Sequence, residues 1–236
     1  MMKPLNPMMS YFGSKWRLVR SGKYPRPLHP LIIEPFAGGA GYALNHHWKQ
    51  VVLVDANPTI TDVWSFIRGS APEIIQALPD RVDVVPGHLE PGAQALIGFW
   101  LAHAISAPRT RATPWVSKHP QALWWGPAIK QRIIQQAPFI RHWQICSGSY
   151  RSLPNVEATW FIDPPYQHGA GYYAFSDIDY AELADWVRSR RGQVIVCEGG
   201  NADWLPFQEL APGRKKANRA SGQMGLAEKL WYREGT

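Results

Sequence analysis

The stretch Asp163-Pro164-Pro165-Tyr166 has the residue types that most directly suggest chemistry. Proline has a fixed backbone angle and no N–H donor, so the Asp163 carboxylate and the Pro164 carbonyl are expected to be rigid acceptors beside the Tyr166 ring. Such a group suits an –NH2 on a flat heterocycle, a poor nucleophile because its lone pair is delocalised. Acceptors on both hydrogens would favour a pyramidal nitrogen and stabilise the charge that develops during attack. A Pro-Pro turn with a packed tyrosine is the structural alternative.

A second pattern, earlier in the chain, could bind a nucleoside. Residues 36–41 read FAGGAG and follow an apolar run at 31–33, while Asp55 ends the next apolar run, 16 residues after Gly39. A glycine loop lets the backbone approach a ligand beside a helix N-terminus. An acid at the end of the next strand can accept hydrogen bonds from both ribose hydroxyls. A purely structural turn, with Asp55 capping the helix that follows, is the alternative.

Both patterns lie at the ends of predicted buried strands. Apolar runs predict strands at 31–33, 51–54, 159–162, 193–197 and 229–232. Helical spacing and turn signals predict helices at 59–67, 92–105, 128–136 and 179–188. This alternation indicates an α/β protein with a largely parallel sheet, whose carboxyl edge collects the loops that carry functional residues.

Charge is distributed unevenly along the chain, which carries a net charge of +7. Residues 91–156 contain no Asp or Glu, but they contain seven Lys or Arg residues and five tryptophans. Prolines recur through residues 71–149, so we interpret that range as an insert in a domain formed by residues 1–70 and 150–236. The basic stretch indicates a polyanionic partner.

Several classes of protein are excluded by composition. The two cysteines, Cys146 and Cys197, are too few and too far apart for a disulfide scaffold or a cysteine-based zinc site. No apolar run reaches the ~20 residues of a membrane helix, and the first residues lack the apolar stretch of a signal peptide. His46-His47 have no acid at ligand spacing, so no metal site is predicted. The composition predicts a soluble cytoplasmic protein.

Taken together, the motifs and their order resemble the Dam-like (D12 class) family of DNA adenine-N6 methyltransferases. The resemblance covers most of the chain, with a long variable segment between the glycine loop and the Asp-Pro-Pro-Tyr motif. The stretches that carry it are residues 11–15 (YFGSK), 34–41 (EPFAGGAG), 55–57 (DAN), 148–150 with 161–166, and Arg219 followed by 228–232.

The resemblance implies a fold, a cofactor and a set of site residues. The fold would be a Rossmann-like methyltransferase sheet with helices on both faces and a small inserted, mostly helical or loop target-recognition region. The cofactor would be S-adenosyl-L-methionine, leaving S-adenosyl-L-homocysteine after transfer of the methyl group to N6 of an adenine flipped out of the duplex. Its binding would involve Tyr11, Lys15, Glu34, Pro35, Phe36, Ala37, Gly38, Gly39, Asp55 and Asp163. The catalytic residues would be Asp163, Pro164, Pro165 and Tyr166.

Double-stranded DNA is the expected partner. Basic side chains would neutralise phosphates, and some would read guanine edges. The candidates are Arg109, Arg111, Lys118, Lys130, Arg132 and Arg219. A monomer is expected, and a weak dimer or a cognate restriction endonuclease is left open. The insert is shorter and richer in proline than the recognition region of many family members, which leaves relaxed specificity open.

Three other interpretations fit parts of the sequence. A methyltransferase for an RNA base or another planar amine would use the same residues. A nicotinamide-dependent oxidoreductase would explain the glycine loop and Asp55 but not residues 163–166. A nucleic-acid binder that has lost its cofactor would explain only the basic stretch. We expect Asp163→Ala to abolish methyl transfer and to leave the fold intact.

Overall fold

One mixed sheet forms the centre of the fold. The computed structural model describes residues 2–102, 105–114, 118–119, 124–168, 177–211 and 227–235. The strands in these ranges are β1 (Leu31–Glu34), β2 (Gln50–Asp55), β3 (Gln144–Ser147), β4 (Ala158–Ile162), β5 (Gly192–Gly199), β6 (Gln208–Ala211) and β7 (Glu228–Arg233). The helices there are α1 (Trp16–Arg20), α2 (Gly41–Asn45), α3 (Pro58–Gly69), α4 (Pro72–Ala77), α5 (Pro91–Trp100), α6 (Pro127–Gln136) and α7 (Tyr180–Ser189).

The strand order is β3-β2-β1-β4-β5-β7-β6. Strands β1 to β5 are mutually parallel, whereas β7 runs antiparallel to both β5 and β6. The chain proceeds outward from β1 to β3 and then returns to place β4 on the other side of β1. The boundary between β1 and β4 is therefore a topological switch point, where open α/β sheets form a crevice at their carboxyl edge.

Alternating side chains along the strands form a separate core on each face of the sheet. Ile32, Phe161 and Ile195 pack in the core that includes buried residues of α2, α3 and α5. Their neighbours Ile33 and Trp160 pack on the opposite face, with α7. Successive side chains of a strand point to opposite faces of the sheet, and here both faces are covered. The central strands therefore have continuous apolar sequences. The predicted α/β, Rossmann-like fold with helices on both faces is confirmed.

Helix α3 begins where local capping predicts, whereas helix α5 ends where the tertiary structure requires. Asn57 accepts a hydrogen bond from Thr59 N at 3.0 Å, and Pro58 occupies the first turn of α3. Helix α5 ends at Trp100, short of the predicted residue 105. The carbonyl of Gly98 accepts a hydrogen bond from Arg109 N at 3.2 Å, because the chain folds back against this glycine.

Two strands, β3 and β6, were not predicted from the sequence. Each consists of four residues with several polar side chains, since one lies at each edge of the sheet and neither needs a continuous apolar sequence. Strand β3 falls within the predicted insert, residues 71–149, yet it pairs with β2 from Gln144 to Ser147. This end of the segment therefore belongs to the central sheet. The division of the chain into a catalytic domain and a target-recognition region stays a prediction.

Within the described ranges, no helix combines the length and the apolar character needed to cross a membrane.

Candidate active site

A cavity of about 270 Å³ opens at the carboxyl ends of β1, β2 and β4. It lies at the switch point and brings together most of the residues predicted to bind a cofactor. Those on its wall are Tyr11, Lys15, Glu34, Phe36, Ala37, Gly38, Gly39, Asp55 and Asp163. Pro35 is buried and is not among the described residues that line the cavity. The structure thus brings three distant parts of the sequence, near residues 11–15, 34–55 and 163, to one site.

The glycines of the loop after β1 accommodate the N-terminal segment. Gly38 has a φ of +43°, and a Cβ built on it would lie 2.8 Å from Cε1 of Tyr11. A Cβ on Gly41 would lie 2.6 Å from the backbone nitrogen of Trp16. The sequence pattern predicts that these glycines allow a ligand to approach the backbone. In the structure, the close approach at both positions is made by residues 11–16.

Asp55 both anchors this loop and faces the cavity. Its Oδ2 accepts a hydrogen bond from Gly38 N at 3.0 Å, and its Oδ1 accepts one from Asn57 N at 2.9 Å. Burial raises the pKa of Asp55, and these two hydrogen bonds oppose that shift. Each carboxylate oxygen can accept more than one hydrogen bond. The structural and the ligand-binding interpretations of Asp55 are therefore compatible.

Lys15 and Asp163 form an ion pair at the centre of the site. Lys15 Nζ lies 3.0 Å from Asp163 Oδ1 and 3.1 Å from Oδ2, and it donates a hydrogen bond to Gly13 O at 2.6 Å. The Lys15 side chain is 4% exposed and that of Asp163 is 20% exposed. Burial alone would lower the pKa of Lys15, but the negative charges of Asp163 and Glu228 raise it above its usual range. The ammonium group is therefore charged at every physiological pH.

The pKa of Asp163 is raised to about 6, chiefly because the carboxyl is buried. Lys15 opposes this shift and Glu228 adds to it. The carboxylate is ionised at neutral pH and can act as a hydrogen-bond acceptor there.

The other residues of the Asp-Pro-Pro-Tyr motif have different positions. Pro165 lines the cavity, and its carbonyl accepts a hydrogen bond from the Tyr180 hydroxyl at 2.7 Å. Pro164 is buried and Tyr166 is half-buried, and neither is among the described residues that line the cavity. The Tyr166 hydroxyl donates to Glu228 Oε2 at 2.8 Å. Glu228, at the start of β7, is a site residue that sequence reasoning did not identify.

Glu34 holds the end of β1 against α2. Its carboxyl is 2% exposed, and Oε1 accepts a hydrogen bond from Ala43 N at 2.6 Å. Burial raises the pKa of Glu34 to about 8, so the group is mostly protonated at pH 7. This neutral group lines the cavity without adding a negative charge.

The far end of the cavity contains residues that were not predicted to bind a cofactor. The ring of Tyr150 lies 5.3 Å from that of Phe36, and Arg151 Nε donates to both carboxylate oxygens of Glu182 at 2.8 Å. Residues 149–151 follow β3, an edge strand that was not predicted, so no role in cofactor binding was expected for them. The additional lining residues here are Ser106, Ser149, Tyr150, Arg151, Asp177 and Ile178.

The predicted DNA-contact residues separate into exposed and buried groups. Arg109, Arg111 and Lys118 are exposed, and Ser106, on the same segment as the two arginines, reaches the cavity wall. Arg132 is half-buried and donates to Pro7 O at 3.1 Å. Arg219 lies outside the described residues. Contact with DNA stays a prediction for these residues.

For Lys130, the predicted phosphate contact does not fit the structure. The side chain is 2% exposed, and its ammonium lies 2.6 Å from Asp80 Oδ1. The same group donates to the carbonyls of Gln76 and Leu78 at 2.7 and 2.6 Å. Lys130 therefore satisfies carbonyls at the C-terminal end of α4, where a cation is favoured.

We expect Lys130→Met to lower the free energy of unfolding by about 2–3 kcal/mol, because two carbonyls lose a charged donor. The salt dependence of DNA binding should not change. Urea denaturation and fluorescence anisotropy at several salt concentrations would measure the two effects. A Lys130→Met protein that unfolds like wild type but binds DNA less tightly would contradict this structural role.

The tryptophans of the basic stretch also differ in exposure. Trp100 and Trp143 are buried in the core. Trp125 is buried as well, and its Nε1 donates to Pro79 O at 2.8 Å. Trp124 is 53% exposed, whereas Trp115 lies outside the described residues. In the described part of the chain, no three His, Cys, Asp or Glu residues are grouped so as to hold a metal ion.

Comparisons with known proteins give structural matches but no matching sequence family. No protein-family profile and no curated protein sequence matches the chain significantly. Solved structures do match, among them a chain described as "Putative methyltransferase yhhF from Escherichia coli". That match has a TM-score of 0.39 and 9% sequence identity, and it covers 100% of this chain and 99% of the other. Similarity at this level assigns no activity to the chain.

Proposed function

We propose that this protein transfers a methyl group from S-adenosyl-L-methionine to N6 of an adenine in DNA. The observation that carries the proposal is the placement of the Lys15–Asp163 pair and Asp55 on one cavity wall. A nucleoside-binding acid and a largely buried acceptor carboxylate are the two groups that this reaction needs side by side. Their motifs lie 108 residues apart in the sequence, at the ends of β2 and β4.

The residues of the cavity fit this cofactor. Asp55 has unused lone pairs for ribose hydroxyls, and the buried Ser14 hydroxyl on the cavity wall has no hydrogen-bond partner among the described residues. The acidic side chains Asp55, Asp163 and Asp177 outnumber Lys15 and Arg151 on the cavity wall. This excess of negative charge favours a cationic sulfonium ligand.

The same features argue against a nicotinamide dinucleotide. A pyrophosphate needs free backbone N–H groups in the glycine loop and positive charge around them. Here the N–H of Gly38 is already donated to Asp55, which places a carboxylate rather than a positive charge against the loop. The oxidoreductase interpretation also leaves residues 163–166 without a role.

In the proposed reaction, the protein orients the amine and accepts its hydrogens. When bound, S-adenosyl-L-methionine would supply the electrophilic methyl group, and its sulfur would keep the electron pair of the broken C–S bond. The Asp163 carboxylate and the Pro164 carbonyl accept hydrogen bonds from the amine, which direct its lone pair and stabilise the developing charge. Lys15 fixes the orientation of the carboxylate. The proton that the nitrogen releases passes to Asp163 or to solvent.

DNA is the proposed substrate because exposed basic residues lie on a segment of the chain that reaches the cavity wall. Arg109 and Arg111 lie on the segment that also brings Ser106 to the cavity wall. A duplex that contacts these arginines would lie over the carboxyl edge of the sheet. An adenine must then leave the base stack to reach Asp163, at a cost of a few kcal/mol.

The test is to incubate the purified protein with S-adenosyl-L-methionine and unmethylated plasmid DNA, and to map N6-methyladenine by single-molecule sequencing. Marks at one motif are the expected result and would identify the site. Marks at most adenines would indicate relaxed specificity. Binding of the cofactor without any mark on DNA would refute the DNA proposal and favour an RNA base or another planar amine.

The proposed role of Asp163 also predicts a pH dependence. The ionised carboxylate is a stronger hydrogen-bond acceptor than the neutral acid, and only the ionised form stabilises a developing positive charge. The pKa of Asp163 is about 6. Activity should therefore be full above pH 7 and should fall about tenfold per pH unit well below pH 6. Initial rates at cofactor and DNA concentrations well below KM, which report on the free enzyme, would measure this between pH 5 and 8, with circular dichroism as a control for folding. A rate that is constant down to pH 5 would contradict the role of the ionised carboxylate.

A further inference from the structure

Residues outside the Asp-Pro-Pro-Tyr motif determine where the Tyr166 ring lies. The ring packs against Gly199, where an added Cβ would lie 2.8 Å from both Cδ2 and Cε2. The hydroxyl at the end of the ring donates to Glu228 Oε2 at 2.8 Å. Gly199 and Glu228 are paired across strands β5 and β7. The pairing of β5 with β7 therefore sets the distance between Gly199, which contacts the ring, and Glu228, which accepts the hydrogen bond from the hydroxyl.

Further contacts complete this arrangement. Lys15 Nζ lies 4.9 Å from the centroid of the Tyr166 ring. The next residue along the chain, Gln167, donates its backbone N–H to Glu198 Oε2 at 3.2 Å. Glu198 is fully buried and also accepts a hydrogen bond from Trp204 Nε1 at 2.8 Å. The backbone after Tyr166 is thus attached to the end of β5.

The proline residues of the motif cannot perform this function. Pro164 and Pro165 restrict the backbone before Tyr166. They do not determine the two side-chain torsion angles of the tyrosine, which depend on what the ring contacts. The ring orientation in this structure depends on the Gly199 surface and on the hydrogen bond to Glu228.

We infer that Glu228 is a positioning residue that holds the Tyr166 ring in the orientation needed to stack on the target base. The inference rests on the proposed function for the role of the stacked base. In this role, the antiparallel strand β7 places the hydrogen-bond acceptor Glu228 beside the Asp-Pro-Pro-Tyr motif. Without this acceptor the ring would sample other rotamers, and the bound base would lose its fixed stacking surface.

The test compares Glu228→Ala, Glu228→Gln, Tyr166→Phe and the double variant Glu228→Ala/Tyr166→Phe. Glutamine keeps an acceptor oxygen, so Glu228→Gln should retain most of the activity. Glu228→Ala and Tyr166→Phe each remove the hydrogen bond and should lower kcat by roughly 10- to 100-fold. KM for S-adenosyl-L-methionine should change by no more than about twofold. The double variant should be no worse than either single variant, because both remove one shared interaction.

A matched control is Glu209→Gln. Glu209 is exposed on β6 and pairs across strands with Lys229, the residue next to Glu228. Its substitution removes a carboxylate from the same part of the sheet without touching Tyr166. It should leave kcat unchanged.

A second measurement reports on the ring without using activity. Protein labelled with 3-fluorotyrosine would be studied by fluorine NMR, and the Tyr166 signal would be assigned by its absence in Tyr166→Phe. This signal should shift or broaden in Glu228→Ala and should remain near its wild-type position in Glu228→Gln and Glu209→Gln. If wild-type protein methylates no DNA, the proposed function fails while this measurement still decides whether Glu228 holds the ring.

The inference would be overturned by an unchanged fluorine signal in Glu228→Ala, or by wild-type kcat in that variant. Additive losses in the double variant would also overturn it, because they would show that the two residues act independently. If Glu228→Ala does not fold, Tyr166→Phe tests the same hydrogen bond with a nearly isosteric change. Wild-type kcat in Tyr166→Phe would then refute the positioning role.

Discussion

Asp163→Ala is expected to reduce methyl transfer by at least about 10²–10³-fold, because it removes the acceptor that stabilises the developing charge on the amine. Transfer of radioactive methyl groups to DNA under single-turnover conditions would measure this loss directly. Asp185→Ala is a suitable control, since Asp185 is 84% exposed on α7 and pairs only with Arg188 among the described residues. Wild-type turnover in Asp163→Ala would refute the assigned role.

The structure leads us to expect that Asp163→Ala also lowers the free energy of unfolding. From the sequence we expect an intact fold, but Lys15 is 4% exposed and loses its ion-pair partner when Asp163 becomes alanine. An unpaired buried charge costs about 3–5 kcal/mol. The double variant Lys15→Met/Asp163→Ala removes both charges and should recover most of the lost stability, but none of the activity. Thermal unfolding of the three proteins would separate the loss of chemistry from the loss of folding.

Replacing Arg109 and Arg111 by glutamine should weaken DNA binding by roughly 10- to 100-fold at low salt. Each phosphate contact that is lost reduces the slope of log affinity against log salt by about 0.9, so the double variant should show a slope about two units shallower. Fluorescence anisotropy with a labelled duplex between 50 and 300 mM salt, roughly the range over which such contacts are screened, would measure both effects.

The matched control for this experiment is Arg188→Gln/Arg191→Gln. These two arginines are 53% and 66% exposed, and they lie where the chain enters β5, at the edge opposite the cavity. Their substitution removes the same charge from the protein, so it tests whether net charge alone causes the effect. Equal losses of affinity in the two double variants would contradict a DNA surface formed by residues 109–111.

The central strands and the loops that carry Asp55 and Asp163 could be predicted because buried strands have continuous apolar sequences. These sequences end abruptly at the acids, so the positions of both carboxylates at the carboxyl edge followed from local patterns alone. The glycine loop was also evident from the sequence. Edge strands β3 and β6 could not be predicted, since they are short and need no apolar pattern.

Only the tertiary structure decided which polar side chains pair with each other across long distances in the sequence. Lys15 pairs with Asp163 across 148 residues, and Tyr166 pairs with Glu228 across 62 residues. Hydrophobic patterns specify which residues are buried, but they contain no information about which polar groups meet. Lys130 shows the same limit, because a basic residue in a basic segment has the same local sequence signal whether it contacts a phosphate or satisfies buried carbonyls.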